Sequence, residues 1–474
     1  MIALLLIMIV FPKDGISIGR YNIIFPTAEE FFIIPNNEYK QENVIQDQLD
    51  SLLAIRTTKH NDSLKQKQQE LRVYLLDSIL QSKKLLQYPN NDKSILYDLF
   101  RKLENAKNKK VRIMHFGDSQ IEADRITSYF RNELQKKHSG SGAGIFSVLQ
   151  VTRKLSVKKE ISDNWIRYAG FGRHKDTTIK HRKYGCLLAF SKFSPINNTI
   201  DSVYTAWINI NKPNMSYRTS RNYSTLKLFY GNSEYKTNVR LMADSVIISE
   251  DSLLIADGVK AKNYDFSQTP KQIQIKLSGK QSPDFYGISL ESNKGVIVDN
   301  IPLRGASGIE FSRQDKTNLR QMFKLLEPDL LILEFGGNTI PYVKTKERCF
   351  KYGSWFEQQI KLLKQINPDA KIIVIGPGDM SKKEKTEFIT YPLLPEVRDA
   401  LKQAAFNQGC VFWDMYQAMG GENTMPDWAQ QDPPLASKDY IHFTVKGSKK
   451  IAELFYKTFS EDYEAYKLLE SKGK

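Results

Sequence analysis

The sequence predicts an α/β protein with a parallel sheet and helices on both faces, interrupted by an inserted all-β segment and preceded by helices. Three observations carry this expectation. A strand, a tight turn and a helix follow one another at residues 111–116, Gly117 and 121–137. The same alternation returns after residue 300. Between them, short runs rich in Val, Ile, Thr, Tyr and Phe are separated by Gly, Asn, Ser and Pro, the pattern of an antiparallel sandwich or jelly roll.

The elements follow in order. Residues 2–11 form an unbroken apolar run of ten, the length of a signal-peptide h-region and too short to span a bilayer. No Lys or Arg precedes it and no A-x-A site follows, so a buried strand is the rival reading. Residues 1–20 are taken as a signal segment, which places the protein outside the cytoplasm, in the periplasm or cell envelope. Residues 21–106 form a helical extension: Ile45, Leu49, Leu52 and Leu53, then Leu71, Leu75 and Ile79, recur at helical spacing, and Ser94 caps a further short helix. Residues 107–150 and 300–474 are the two parts of the α/β domain, and 151–299 the insertion. Within the second part the order is strand 330–335, helix 354–366 opened by a Ser354/Glu357 capping box, strand 371–375, helix 396–408, strand 410–413 and a last helix from Val445. The insertion carries strands at 202–210, 224–230, 236–242, 271–277 and 285–289.

With 474 residues the chain is long enough for two or three cores. Its 41% hydrophobic and 26% charged residues exclude a disordered tail and a membrane bundle. A formal charge of +16 favours acidic partners without choosing among nucleic acid, anionic glycans and lipid headgroups. No nucleic-acid-binding module accompanies the basic residues, so nucleic acid is not an expected partner. Cys186, Cys349 and Cys410 are too few and too scattered for a disulfide framework or a zinc site, and no His-Glu-x-x-His or EF-hand pattern occurs. No metal and no cofactor are expected.

The turn Gly117-Asp118-Ser119-Gln120 places a serine after the first parallel strand, where open α/β sheets bind ligands. That position suits a nucleophile, although Asp-Ser after a strand is also a routine helix N-cap. Of the six histidines, His442 lies in the loop entering the last helix with Asp439 three residues earlier, so one short turn presents carboxylate and imidazole together. His115 lies inside the first strand and reads as a packed residue. Donors for an oxyanion are expected where strands end, at Gly305-Ala306-Ser307-Gly308 and Phe335-Gly336-Gly337-Asn338. Gly140 to Gly144 follows a helix rather than a strand and reads as a flexible connection, not a dinucleotide loop. Gly15-Ile16-Ser17-Ile18-Gly19 has the spacing of a nucleophile elbow with no helix after it and is read as chance.

The order Gly-Asp-Ser, Gly, Gly-Gly-Asn, Asp-x-x-His resembles the four blocks of the SGNH (GDSL-like) hydrolases, esterases and lipases on a flavodoxin-like three-layer fold. The resemblance covers residues 111–137 and 300–456. It implies Ser119 as nucleophile, His442 as base, Asp439 as its orienting acid, and the Ser119 N–H, Gly308 and Asn338 as oxyanion donors, with Gly117, Asp118 and Gly337 as motif support. Gly305 is the alternative to Gly308. Gln120 stands where the family nickname has Leu, and Thr339 where Asp often follows Gly-Gly-Asn; neither is expected to be catalytic. The β insertion and the Gly-Asp-Ser-Gln-Ile-Glu-Ala-Asp-Arg context resemble the branch that includes bacterial peptidoglycan O-acetylesterases with an inserted carbohydrate-binding-like domain. In that setting two or three of Trp165, Tyr168, Phe171, Tyr184, Trp207, Tyr223 and Tyr230 are expected at the surface, to stack on sugar rings.

The leading expectation is a serine esterase that removes acyl groups, acetyl above all, from a carbohydrate or cell-wall glycan through an acyl-enzyme. A glycan O-acyltransferase with the same site is the first rival. A non-catalytic glycan-binding protein is the second, and it requires Ser119 and His442 to lie beyond hydrogen-bond reach.

Overall fold

In the computed structural model, five strands lie side by side and parallel in the order Gly295–Pro302, Lys110–Gly117, Leu330–Glu334, Lys371–Ile375 and Val411–Trp413. The short strand Leu86–Gln87 adds antiparallel at the outer edge. The structure describes residues 16–18, 21–23, 85–172, 178–196 and 202–472. The apolar run at 2–11 and the helices expected between 44 and 84 lie outside the described residues. The chain divides into two units, Met1–Ile79 and Leu80–Lys474. In the first, Ile16–Ile18, the middle of the Gly-x-Ser-x-Gly stretch, pairs antiparallel with Tyr21–Ile23.

Strands buried on both faces are apolar almost throughout, and Leu330–Glu334 is buried at all of its positions. Alternate side chains serve different layers. Val111, Ile113, Leu330 and Ile332 pack with Phe100, Phe130, Phe455 and Phe459 from the helices Tyr97–Glu104, Thr127–His138 and Val445–Lys472. Met114, Phe116, Leu331 and Leu333 face Phe323, Phe356 and Leu401 from Lys316–Leu326, Lys346–Ile366 and Leu394–Asn407. Helices therefore cover both faces of the sheet. In chain order the first strand lies between the second and the third, so the connections leave in opposite directions on either side of Lys110–Gly117. A crevice opens there beyond the carboxyl ends of the strands, between Lys110–Gly117 and Leu330–Glu334.

Between residues 144 and 291 the strands are antiparallel and form two sheets. One contains Thr225–Gly231 and Asp284–Glu291 at its centre, the other Thr237–Ala243 and Gln272–Gly279. Leu226, Leu228, Ile288 and Leu290 from the first share a core with Val239, Leu241, Ile273 and Ile275 from the second.

Several local expectations are corrected. The parallel sheet resumes at Gly295 rather than after residue 300. The helix expected from residue 121 is broken: a 3-10 turn, Ser119–Asp124, ends where Ala123 adopts φ 57°, and the α-helix proper is Thr127–His138. The helix expected from Ser354 begins at Lys346, capped by Thr345, and the Ser354 hydroxyl donates back to the Phe350 carbonyl. Asp92, not Ser94, caps the early short helix by accepting from the Ser94 N–H. Gly140 to Gly144 is tightly packed rather than a loose connection. A Cβ on Gly140 would lie 2.4 Å from the Val296 backbone, so only glycine lets the two segments touch. Of the seven aromatics among which two or three were expected at the surface, six are buried and Trp207 alone is partly exposed, at 36%. The others fill the interior of a region whose sheets need large side chains to close it.

Candidate active site

The first strand ends at Gly117, whose carbonyl accepts from the Leu303 N–H while the Asp118 N–H donates to the Glu334 carbonyl at 3.2 Å. The turn is thereby fixed to both neighbouring strands. The Asp118 carboxylate accepts from the Gln120 N–H at 3.0 Å, closing an Asx turn that starts the 3-10 helix and leaves Ser119 at its first position. The first N–H groups of a helical turn have no acceptor within it, so the Ser119 N–H is available to a ligand.

His442 comes from the other end of the chain. Its Nε2 lies 2.9 Å from the Ser119 Oγ. Its Nδ1 lies 2.7 Å from Asp439 Oδ2, while Asp439 Oδ1 accepts from the N–H groups of Ile441 and His442 at 3.0 Å each. Partial burial alone would push the Asp439 carboxyl up, but the two N–H groups and the imidazole outweigh it and hold the group below its ordinary value. The loop is braced from outside: the Phe388 ring stacks on Tyr440 with centroids 3.7 Å apart. The Thr444 hydroxyl then accepts from the Gly447 N–H and starts the last helix. The separation that a non-catalytic protein would require between Ser119 and His442 is not present.

Ser119 and His442 line a cavity of about 290 Å³ with Asp118, Gly305, Glu334, Gly337 and Asn338. Asn338 Nδ2 donates to Ala306 O at 3.0 Å and to Asp118 Oδ2 at 3.2 Å. Gly337 leaves room for that carboxylate, since a Cβ there would lie 3.3 Å from Asp118 Oδ2. Burial, reinforced by the nearby Glu334 and Glu122 and only partly offset by the Gln120 N–H, pushes Asp118 up to about 7. Gly308 is packed differently from its neighbour Gly305. It does not line the cavity, and a Cβ at this position would lie 2.7 Å from the rings of Phe335 and Phe356. The glycine at the cavity is Gly305, with φ +80° and nothing within 4 Å of where a Cβ would stand. Both glycines sit in left-handed conformations, so their shared φ could not have separated the packing glycine from the open one.

Beneath the site is a second histidine pair. His115 Nε2 lies 2.9 Å from Glu334 Oε2, and its Nδ1 lies 3.1 Å from the Thr127 hydroxyl, which also accepts from the Asn300 amide. Both His115 and Glu334 are buried. Among the described residues, no group of three His, Cys, Asp or Glu is placed to hold a metal ion, and no helix is long and apolar enough to cross a membrane. Sequence reasoning passed over Gly305 as the leading glycine, set Gln120 aside and did not consider Arg125. The exposed position of Gly305, three residues before a glycine wedged among aromatics, has no signature in the motif.

Comparison with known proteins agrees with this architecture. The chain aligns with the solved structure of a peptidoglycan O-acetylesterase at TM-score 0.59 and 18% identity, over 79% of this chain and 98% of that one. Weaker alignments include an acetyl xylan esterase, AlAXEase, at TM-score 0.27 and 14% identity over 34% of this chain and 80% of that one. Another is a family two carbohydrate esterase from Clostridium thermocellum in complex with cellohexaose, at TM-score 0.24 and 10% identity over 56% and 94%. No curated protein matches by sequence. Residues 257–450, which include Asn338, Asp439 and His442 but not Ser119, match the family model described as GDSL-like Lipase/Acylhydrolase family. That segment is therefore similar to the GDSL-like, or SGNH, hydrolases.

Proposed function

We propose that the protein is a serine esterase that removes short acyl groups, acetyl first among them, from a carbohydrate or cell-wall glycan through an acyl-enzyme. The observation that carries this reading is the row Asp439, His442, Ser119, joined by contacts of 2.7 and 2.9 Å at the mouth of a cavity. His442 Nε2 takes the proton from the Ser119 Oγ as the oxygen attacks the acyl carbon. Asp439 fixes the tautomer by accepting from Nδ1–H and stabilises the imidazolium that forms. The oxyanion receives the Ser119 and Gly305 N–H groups and the Asn338 amide, which exchanges its longer bond, to Asp118, for the substrate oxygen. His442 then returns the proton to the leaving sugar oxygen. Water, deprotonated by the same nitrogen, releases the acid.

A cavity of about 290 Å³ at Ser119 is large enough to accommodate a short acyl group. Support for a glycan comes from the fold shared with a peptidoglycan O-acetylesterase and from the pair of antiparallel sheets between residues 144 and 291, which we assign as a carbohydrate-binding-like insertion. The polymer reading also puts the enzyme in the cell envelope, and fractionation of cells tests that placement. The test of function is acetate release from O-acetylated peptidoglycan and acetylated plant polysaccharides, measured beside Ser119→Ala. Release by the native protein and none by the variant supports the reading; equal release by both contradicts it.

A further inference from the structure

The four backbone carbonyls of the histidine loop are all satisfied, and their partners show how the loop is held. Tyr440 O accepts from the Ser381 N–H and His442 O from the Ser437 N–H, at 2.9 and 2.8 Å. The two carbonyls that flank His442 are held from the opposite side of the site. Gln120 Nε2 donates to Ile441 O at 2.7 Å, and Arg125 Nη1 donates to Phe443 O at 3.2 Å. Arg125 reaches further: its Nη2 donates to the Ser119 carbonyl at 3.2 Å and its Nε to the Glu122 carbonyl at 3.1 Å. One guanidinium thus bonds the backbone of the serine and the backbone beside the histidine. Gln120 belongs to the serine turn itself, and its Oε1 is buried without a partner, so the side chain is held by its NH₂ group alone.

We infer that Gln120 and Arg125 are positioning residues that clamp the histidine loop to the serine turn and so set the Ser119 to His442 distance. The inference rests on the esterase reading for its kinetic consequence. Ser119 and His442 are 323 positions apart in sequence, and no backbone hydrogen bond joins Ser119 or Gln120 to the 440–443 segment among the described residues. The planar fork of arginine suits a bridge between two carbonyls, whereas lysine offers a single point of attachment. Leucine at position 120 offers no donor at all. Asp439 and His442 sit on one short loop and move together, so loosening the clamp displaces the pair from the serine without separating imidazole from carboxylate.

The test uses the full chain and the variants Gln120→Leu, Arg125→Met and Arg125→Lys, with a chromogenic acetyl ester. A misplacement on the ångström scale is costly, so kcat is expected to fall on the order of 10- to 100-fold in Gln120→Leu and Arg125→Met. KM is expected to stay within about twofold, and Arg125→Lys to recover part of the loss. A merely destabilised protein would instead lose active enzyme, which unfolding midpoints and active-site titration reveal. Crystal structures of the two variants should show the Ser119 Oγ and His442 Nε2 beyond hydrogen-bond reach. A separation still at 2.9 Å, or kcat within about twofold of native in both folded variants, overturns the clamp. If the native protein hydrolyses no ester, the esterase reading falls by itself, and the crystallographic separation still decides the clamp.

Discussion

Two histidine–carboxylate pairs lie within one site and have opposite fates. His115 and Glu334 meet at 2.9 Å with both side chains buried, and each ring nitrogen of His115 is occupied, one by Glu334 and the other by Thr127. His442 and Asp439 meet at 2.7 Å with 36% and 48% of their side chains exposed, and Nε2 is left pointing at Ser119. A carboxylate partner is common to both. The second nitrogen decides what the residue does: tied into a network it fixes structure, and aimed at a hydroxyl in an open cavity it can carry a proton.

The sharpest way to break this contrast is to remove each histidine in turn. His442→Ala, like Ser119→Ala, should cost on the order of 10,000-fold or more in kcat/KM with an unfolding midpoint close to native. His115→Gln should leave the rate little changed and lower stability by about 1–3 kcal/mol, because Glu334 or Thr127 is left buried without its partner. Ester hydrolysis and denaturant unfolding on the same preparations measure both effects. The reverse pattern would exchange the two roles. Next in size, Asp439→Asn keeps the loop but removes the acceptor for Nδ1–H, and a loss of about 100- to 10,000-fold in kcat is expected from stopped-time assays.

A third prediction separates the two glycines and the amide beside them. Asn338→Ala should lower kcat about 100- to 1000-fold by removing one oxyanion donor. Gly308→Ala should act on folding instead, costing about 1–3 kcal/mol as its methyl group meets the rings of Phe335 and Phe356, with KM unchanged. Thermal unfolding and steady-state kinetics distinguish these outcomes.

The last prediction concerns Asp118, whose carboxyl is raised from 3.8 to about 7 by burial first and by its acidic neighbours after it. The folded protein therefore holds a proton that the unfolded chain releases between about pH 4 and 7. The stability associated with that proton is complete below about pH 4 and is lost as the pH rises through about 7. Asp118→Asn removes this slope, so its stability relative to native should rise across the window, by ~4 kcal/mol at most. Urea unfolding at a series of pH values measures the difference. A native profile that stays flat between pH 4 and 7 would contradict the raised carboxyl.

Much of this was legible in the amino-acid order, because chemistry at strand ends leaves compact local signals. Gly117-Asp118-Ser119 is at once an Asx turn and a motif, and Asp439 to His442 is one turn of chain with both groups on it. The parallel strands were legible because burial on both faces demands apolar runs such as Leu330–Glu334. What escaped depends on contacts between distant segments. Gly305 and Gly308 share the same backbone region, and only the packing of Phe335 and Phe356 against one of them tells them apart. Gln120 looked like a neutral departure because its role is a bond to Ile441 O, and Arg125 entered only as the last residue of the stretch around the serine, with nothing to mark its bond to Phe443 O. The aromatics between residues 165 and 230 carry no mark of burial in their spacing, since a core and a sugar platform call for the same rings.

The central claim, that the Ser119 oxygen attacks an acyl carbon with His442 as its base, is tested most directly by trapping the nucleophile. Intact mass measurement and peptide mapping after reaction with a fluorophosphonate should show one adduct, on Ser119, in the native protein, and none in His442→Ala or Ser119→Ala. An adduct on another residue, or undiminished labelling of Ser119→Ala, would contradict the account.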